Sequence, residues 1–299
     1  MPEQIGVVSR INPMTDFRER TRLVLNMVKI EHSIFALPFA YTGAFLAAGG
    51  WPGWRVFLLL TLAMVMIRSF AMAMNRILDL RFDRLNPRTQ SRPLVTGELS
   101  VPFTVVFCLV TAVLFVLACA GLNTLCLILS GPALIWSAAY SLTKRFTWLC
   151  HYFLGSVLGL APIAGWIAYD PQFTLPAFLL FFGVLFWVAG FDILYAAQDA
   201  DFDKSHALHS VPAAFGLETA FVLSRFSHVQ AALFFLLAGF AATLGWIYFL
   251  AWAVVGTVLY MEHSIVSPGD LGRLNMSFFT LNGAVAALLF VGVLLDLAF

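Results

Sequence analysis

Residues 101–121 read VPFTVVFCLVTAVLFVLACAG, 21 positions without one charged side chain. Wound as an α-helix at 1.5 Å per residue, the stretch is about 31 Å long, which matches the hydrocarbon core of a bilayer. A second run without charge, 123–142, follows at once. Together they decide the fold class: an all-α polytopic membrane protein. Working outward, seven more runs appear, at about 24–49, 54–80, 147–169, 174–198, 216–240, 243–262 and 274–298. Short punctuators separate them, among them Gly49-Gly50, Pro52-Gly53, Asp170-Pro171 and Pro268-Gly269. Nine transmembrane helices are expected, arranged around a central cavity that opens to the cytoplasmic side.

Composition points the same way. Of 299 residues, 61% are hydrophobic and only 11% are charged, against about 25% charged in a soluble domain. This excludes a cytosolic enzyme, a disordered chain and a nucleic-acid binder, and the bilayer is the expected partner. Cys108, Cys119, Cys126 and Cys150 form no C-x-x-C pair and lie in or beside apolar runs, so they read as small buried side chains. Arg10, Arg18, Arg20 and Arg22 make residues 1–22 a basic segment. The run after it is too long for a cleavable signal, and none is expected. Nothing marks a second domain or a protein partner, so residues 1–299 read as one domain.

Orientation follows from Lys and Arg in the short loops. One side holds the N-terminal arginines, Arg81, Arg84, Arg88, Arg92, Lys144, Arg145, Lys204 and Arg273, while the other holds only Arg55. The basic side is expected to be cytoplasmic, which puts the N-terminus and the polar loops 81–100 and 199–213 inside and Phe299 outside, in the inner membrane.

Ionisable residues inside spans cost about 2.5–3.5 kcal/mol each at the bilayer centre and tend to mark function. Asn75, Asp79 and Asp83 recur every four residues at the end of the second run, with Arg68 seven residues earlier on the same stripe. Tyr195, Asp199 and Asp203 repeat that spacing at the end of the sixth run, preceded by Asp192. Two acidic stripes thus leave the membrane on one side. Facing carboxylates need a cation between them, and hard oxygen donors suit Mg²⁺, which combines one or two carboxylates with phosphate oxygens and water. Such a cluster grips a diphosphate and stabilises it as a leaving group, with Arg88, Arg92, Lys144 and Arg145 near enough in sequence to complete the cage. The plainer reading is a set of helix caps and loop-entry charges at the membrane surface. A transporter of a small anionic or lipid substrate is the alternative function, although transporters place their charges nearer the midplane.

At these residues the sequence resembles the UbiA superfamily of intramembrane aromatic prenyltransferases, most of all its 4-hydroxybenzoate polyprenyltransferase-like branch. The resemblance rests on Asn75-x3-Asp79-x3-Asp83 followed by Asn86-Pro87-Arg88-Thr89 and Arg92-Pro93-Leu94. It rests equally on Asp192-x2-Tyr195-x3-Asp199-x3-Asp203 with Ser210, and on the central stretch from Tyr140 to Thr147. It departs from the better-known hydroxybenzoate enzymes at Arg76, where many have Asp, and at His209, where many have Lys.

The resemblance implies transfer of a polyprenyl group from an allylic diphosphate to a ring carbon of 4-hydroxybenzoate or a hydroxynaphthoate in ubiquinone or menaquinone biosynthesis, with Mg²⁺. It implies Asn75, Asp79, Asp83, Asp199 and Asp203 as metal ligands, and Asp79, Asp199, Arg68 and Tyr195 as catalytic. Lys144, Arg145, Arg88, Arg92, Glu31, His32 and Asp192 would bind substrate. Glu31 and His32 bind the acceptor or take the ring proton, or are a buried polar pair. His151, His228 and Arg225 read as structural. The two stripes also suggest a duplication, with spans 1–4 echoed by 5–8.

Overall fold

The computed structural model describes residues 13–29, 33–272, 274 and 280–299. Among these residues the regular structure is helical, apart from an isolated bridge between Ser267 and Asp270. The helices in chain order are α1 (Pro13–Val28), α2 (Ser33–Ala48), α3 (Trp54–Leu78), α4 (Leu80–Asp83), α5 (Pro93–Thr96), α6 (Val101–Leu122), α7 (Thr124–Thr143) and α8 (Cys150–Tyr169). After them come α9 (Leu175–Ala196), α10 (Ala200–Ser205), α11 (Val211–Ala241), α12 (Trp246–Ile265) and α13 (Asn282–Ala298). Each of the nine apolar runs overlaps one of the longer helices. Six stretches are long and apolar enough to cross a membrane, namely α3, α6, α7, α8, Leu175–Ser205 and α11, and Ala36–Ala48 and Asn282–Ala298 are shorter apolar helices. The first run differs from expectation. It is not one helix from 24 to 49, because α1 ends at Val28, Lys29 takes a positive φ of 50°, and α2 begins only at Ser33. The charges of Lys29 and Glu31 interrupt the apolar run, and a continuous span would have to desolvate them.

Polar side chains set the helix ends. Ser100, Asn123 and Ser210 accept from the backbone N–H three residues on and start α6, α7 and α11. At the end of the bundle where Asn123 lies, away from Ser100 and Ser210, Arg55 donates to the carbonyl of Gly121 at 2.6 Å. There Asp296 accepts from Gly245 N–H at 2.6 Å, capping α12.

Contacts run in sequence from α2 to α3, α6, α7, α8, α9, α11, α12 and α13, and α13 closes the circuit against α2. The circuit is pinched where α2 meets α8. A Cβ on Gly43 would stand 2.0 Å from the Pro162 carbonyl oxygen, and one on Gly165 would stand 1.8 Å from that of Ala40. Lipid supplies little hydrophobic force between helices, so close backbone approach through small residues holds such contacts. The pairs α3 with α6 and α9 with α11 pack against each other in the same way along the circuit. The four cysteines are free and buried.

Candidate active site

The two acidic stripes end in the same backbone device. Asp79 closes α3 with φ −93° and ψ 3°, and α4 restarts the helix at Leu80. Asp199 closes the 3₁₀ turn Ala197–Asp199 with φ −106° and ψ 7°, and α10 restarts at Ala200. Both sit in the sparsely populated bridge region, where active-site residues are often found. The hydrogen bonds Asp79 N–H to Asn75 and Asp83 N–H to Asp79, both 2.9 Å, keep the i to i+4 register across the first break. The spacing of four therefore survives although neither stripe lies on one unbroken helix.

The stripes face each other across a cavity of about 250 Å³. Asn75, Asp79, Asp83, Arg88, Arg92, Lys144, Arg145, Asp192, Tyr195, Asp199 and Asp203 all line it. Residues up to about 130 positions apart in the chain thus meet in one place. Each carboxylate has a cation. Arg92 Nη1 lies 2.5 Å from Asp83 Oδ2, and Lys144 Nζ lies 2.8 Å from Asp203 Oδ1. Arg145 Nη2 is 3.5 Å from Asp79 Oδ1 and donates to the Leu78 carbonyl at 2.6 Å. Arg88 clasps Asp199 with both Nε and Nη2 and lies over the Tyr195 ring at 5.3 Å. Asn86 adds a 2.9 Å bond to Asp199 Oδ1. Adjacent residues of the central loop thus serve opposite stripes, Arg145 the first and Lys144 the second.

The charges are unevenly balanced. Burial, reinforced by the Asp83 carboxylate, holds Asp79's pKa above the ordinary carboxylate value despite Arg145. For Arg88, burial opposes the charge, but the hydrogen bonds and charge of Asp199 outweigh it and raise its pKa.

These donors fit Mg²⁺. They are hard oxygens, and Asp79, whose cation Arg145 stands off at 3.5 Å, carries a charge that a divalent ion would relieve. No three acid, His or Cys side chains among the described residues already form a metal cage. An ion here would therefore use one or two protein carboxylates and take its other ligands from phosphate and water, as Mg²⁺ does. Asn75 is the weakest of the five expected ligands. Its Oδ1 already accepts from buried Arg76 at 3.0 Å, and its Nδ2 donates to Asp79 at 2.7 Å. Buried Arg76 thus fixes the orientation of Asn75.

A second cavity, of about 210 Å³, lies against the first. The two share Tyr140, Leu154 and Asp192, and Arg68 lines only the second. The rest of the second wall is almost entirely apolar, including Ile67, Phe115, Leu158, Val188 and Phe191. Arg68 is thus set apart from the acids it was grouped with on the sequence stripe, and stands with Asp192 instead. Glu31 and His32 lie outside the described residues.

Sequence reading missed one pair. His151 Nδ1 is 2.7 Å from Asp192 Oδ2, and its Nε2 accepts from Val211 N–H at 3.1 Å. The backbone N–H can only donate, so Nε2 is bare and the proton sits on Nδ1, facing Asp192. His151 lines the polar cavity and positions the one acid common to both cavities. Asn86 and Tyr140 also line the polar cavity.

Residues 36–292 match the UbiA prenyltransferase family. A relative from Methylobacillus flagellatus named 4-hydroxybenzoate octaprenyltransferase is 30% identical over 254 residues, covering 84% of each chain. The apo structure of a UbiA homolog from Aeropyrum pernix K1 is 36% identical and superposes with a TM-score of 0.81 over 89% of this chain and 98% of that one. A UbiA homolog from Archaeoglobus fulgidus bound to GPP and Mg²⁺ shares the fold, with a TM-score of 0.69 at 21% identity over 93% of this chain and all of that one.

Proposed function

The chain belongs to the UbiA prenyltransferase family, and from that premise we propose that it prenylates an aromatic acid. The donor is an allylic polyprenyl diphosphate. The acceptor is 4-hydroxybenzoate or a related hydroxynaphthoate, and the product feeds ubiquinone or menaquinone biosynthesis. The observation that carries this reading is the joined pair of cavities, one ringed by four acids and four bases, the other apolar, with Asp192 and Tyr140 at their junction. The family relative's name supports the acceptor class, and the fold neighbour bound to GPP and Mg²⁺ supports the donor.

Asp79 and Asp83 on one stripe, with Asn75 beside them, and Asp199 and Asp203 on the other would each hold Mg²⁺ against the diphosphate, so that no ion needs more than two of the carboxylates. The metal supplies charge neutralisation at the leaving oxygens. Arg88, Arg92, Lys144 and Arg145, released from their acids, then take phosphate oxygens, which stabilises the charge that grows as the carbon–oxygen bond breaks. The diphosphate leaves with the bonding electron pair. The apolar wall receives the allylic end and excludes water that would quench a cation. Tyr195 presents its ring beside that end. Arg68 pairs with the acceptor carboxylate, which places an electron-rich ring carbon at the junction. That carbon attacks, a carbon–carbon bond forms, and the ring proton passes to Asp192, held in position by His151. The basic loops and the N-terminus are cytoplasmic in this scheme.

Membranes carrying the protein, given geranyl diphosphate, 4-hydroxybenzoate and Mg²⁺, are expected to yield a prenylated acid by mass spectrometry. EDTA and Asp79→Ala should each remove it. A product with hydroxynaphthoate alone would move the acceptor to the menaquinone branch. No diphosphate released with either acid would overturn the scheme and bring transport forward.

A further inference from the structure

A third cavity, of about 460 Å³, lies away from the active site between α11 and α12, lined among others by Arg225, His228, Tyr260, His263 and Ser264. Its mouth is on the outer face of the bundle, where Arg225, Val229, Tyr260 and Ser264 are all exposed. We propose that this cavity binds the phosphodiester headgroup of one anionic phospholipid from the surrounding leaflet.

Depth argues for a lipid. Ser224, beside Arg225, donates to the carbonyl of Gly190 at 2.7 Å, so Arg225 is level with the last turns of α9. Gly190 precedes Asp199 by nine residues, roughly 13 Å of helix, which puts Arg225 within the bilayer and toward the side of the polar loops. Side chains on a helix lean toward its N-terminus, and that end of α11 is the polar one. The guanidinium therefore reaches back toward headgroup level.

Charge argues for an anion. Arg225 forms no ion pair with a carboxylate among the described residues, and no Asp or Glu lines the cavity. An unpaired cation on a membrane helix is expensive unless something compensates it. The other polar groups are suited to phosphate oxygens: the Tyr260 and Ser264 hydroxyls, and the His263 ring, whose buried Nδ1 has no hydrogen-bond partner among the described residues. Below them Val229, Ala232, Gly256 and Leu259 offer an apolar trough for an acyl chain.

The back wall is rigid and leads inward. His263 Nε2 meets His228 Nδ1 at 2.9 Å, and His228 packs so closely on α9 that a Cβ at Gly190 would stand 2.2 Å from its ring. Glu262, next to His263, accepts from Asn282 at 3.0 Å, and Asn282 accepts from Trp187 at 2.7 Å. A headgroup at Arg225 would thus rest on a polar cluster that binds α9, α11, α12 and α13 together.

Native mass spectrometry of the whole protein, delipidated in detergent and titrated with phosphatidylglycerol or phosphatidylcholine, tests this. One phosphatidylglycerol per chain is expected, held about tenfold tighter than phosphatidylcholine, as one charge-assisted contact would give. Arg225→Gln should erase that preference, and Arg225→Lys should keep most of it. Millimolar inorganic phosphate should leave the lipid adduct in place. Equal retention of the two lipids by the wild type, or an unchanged preference in Arg225→Gln, overturns the proposal. Displacement by phosphate, or by geranyl diphosphate in Asp79→Ala protein, would assign the cavity to another anion and overturn it as well.

Discussion

His151 holds Asp192 from behind. Its Nε2 is committed to the Val211 N–H at the start of α11, so its Nδ1 proton has Asp192 Oδ2 as its partner, 2.7 Å away. The carboxylate that borders both cavities is thereby fixed by a helix other than its own.

From this relationship, His151→Ala should lower the prenyl-transfer kcat by about 10²-fold, the scale on which a misplaced group costs rate. Affinity for the diphosphate donor should change little, because Asp192 stands at the far edge of the acid–base ring. Loss of the Val211 N–H acceptor should also destabilise the protein by about 1–3 kcal/mol. Steady-state kinetics of each substrate, with thermal unfolding in parallel, separate the two effects. A rise in donor KM at unchanged kcat would contradict the positioning role.

Removing a carboxylate should be far more damaging than removing its neighbour. Asp199→Ala leaves Arg88 without its bidentate partner and would remove a proposed metal ligand, so a loss of about 10²–10³-fold is expected, comparable to deleting one electrostatic stabiliser of a transition state. The double variant Arg88→Ala/Asp199→Ala should lose much less than the product of the two single losses, since the residues act as a unit. Prenylation rates around the full cycle give the coupling.

Asp79 should show a trade between stability and activity. Its folded pKa is raised, so its charge weakens the metal-free fold. That loss is absent below about 3.8, the ordinary carboxylate value, and develops as pH rises through the folded value. In EDTA at neutral pH, Asp79→Asn is therefore expected to melt at a higher temperature than the wild type. The gap should close as the pH is lowered and the wild-type Asp79 takes up its proton. The same variant should form no prenylated product with Mg²⁺. A lower melting temperature in EDTA would show that the bond to Arg145 outweighs the burdened charge.

Gly43 and Gly165 should not tolerate a methyl group. Each added Cβ would meet a backbone carbonyl oxygen at 2.0 Å or less, and backbone cannot swing aside as a flexible side chain does. Gly165→Ala should destabilise by at least about 1–3 kcal/mol, the usual range for overpacking, and Gly131→Ala, whose Cβ would meet nothing within 4 Å, should be neutral. Melting temperatures in detergent distinguish them.

Much of the site could be read in the chain because its chemistry is periodic. Asp79 and Asp83, and Asp199 and Asp203, are spaced by a helical repeat, stand out in a charge-poor chain, and meet in one cavity as their spacing predicts. The residues that escaped have partners set by tertiary packing. His151 precedes Asp192 by 41 residues and lies on the preceding helix, and no local pattern ties them. Arg68 shares a stripe with Asn75 in sequence, yet seven residues of helix place it in the apolar cavity with Asp192. The helical breaks at Asp79 and Asp199 were also hidden, because bridge-region backbone preserves the i to i+4 spacing while it ends one helix and begins another. The first apolar run was over-extended for the opposite reason, since hydropathy averaged over 24–49 passes across the turn at Lys29.

The four acid–base pairs around the polar cavity make it a coincidence gate. A lone anion that draws off Arg88, Arg92, Lys144 and Arg145 strands four carboxylates against one another. A lone metal ion that draws off the carboxylates strands four cations. Only a ligand that arrives with both signs, a metal together with its diphosphate, lets each pair part without leaving an unbalanced charge in a low-dielectric pocket. Under the proposed function the protein would discriminate against free phosphate and free metal with the same side chains that would hold its substrate, and cleavage, which would leave metal and diphosphate joined, would not by itself reset the gate. On this logic product departure, in which every pair must re-form, is the step that the interlocked charges favour most.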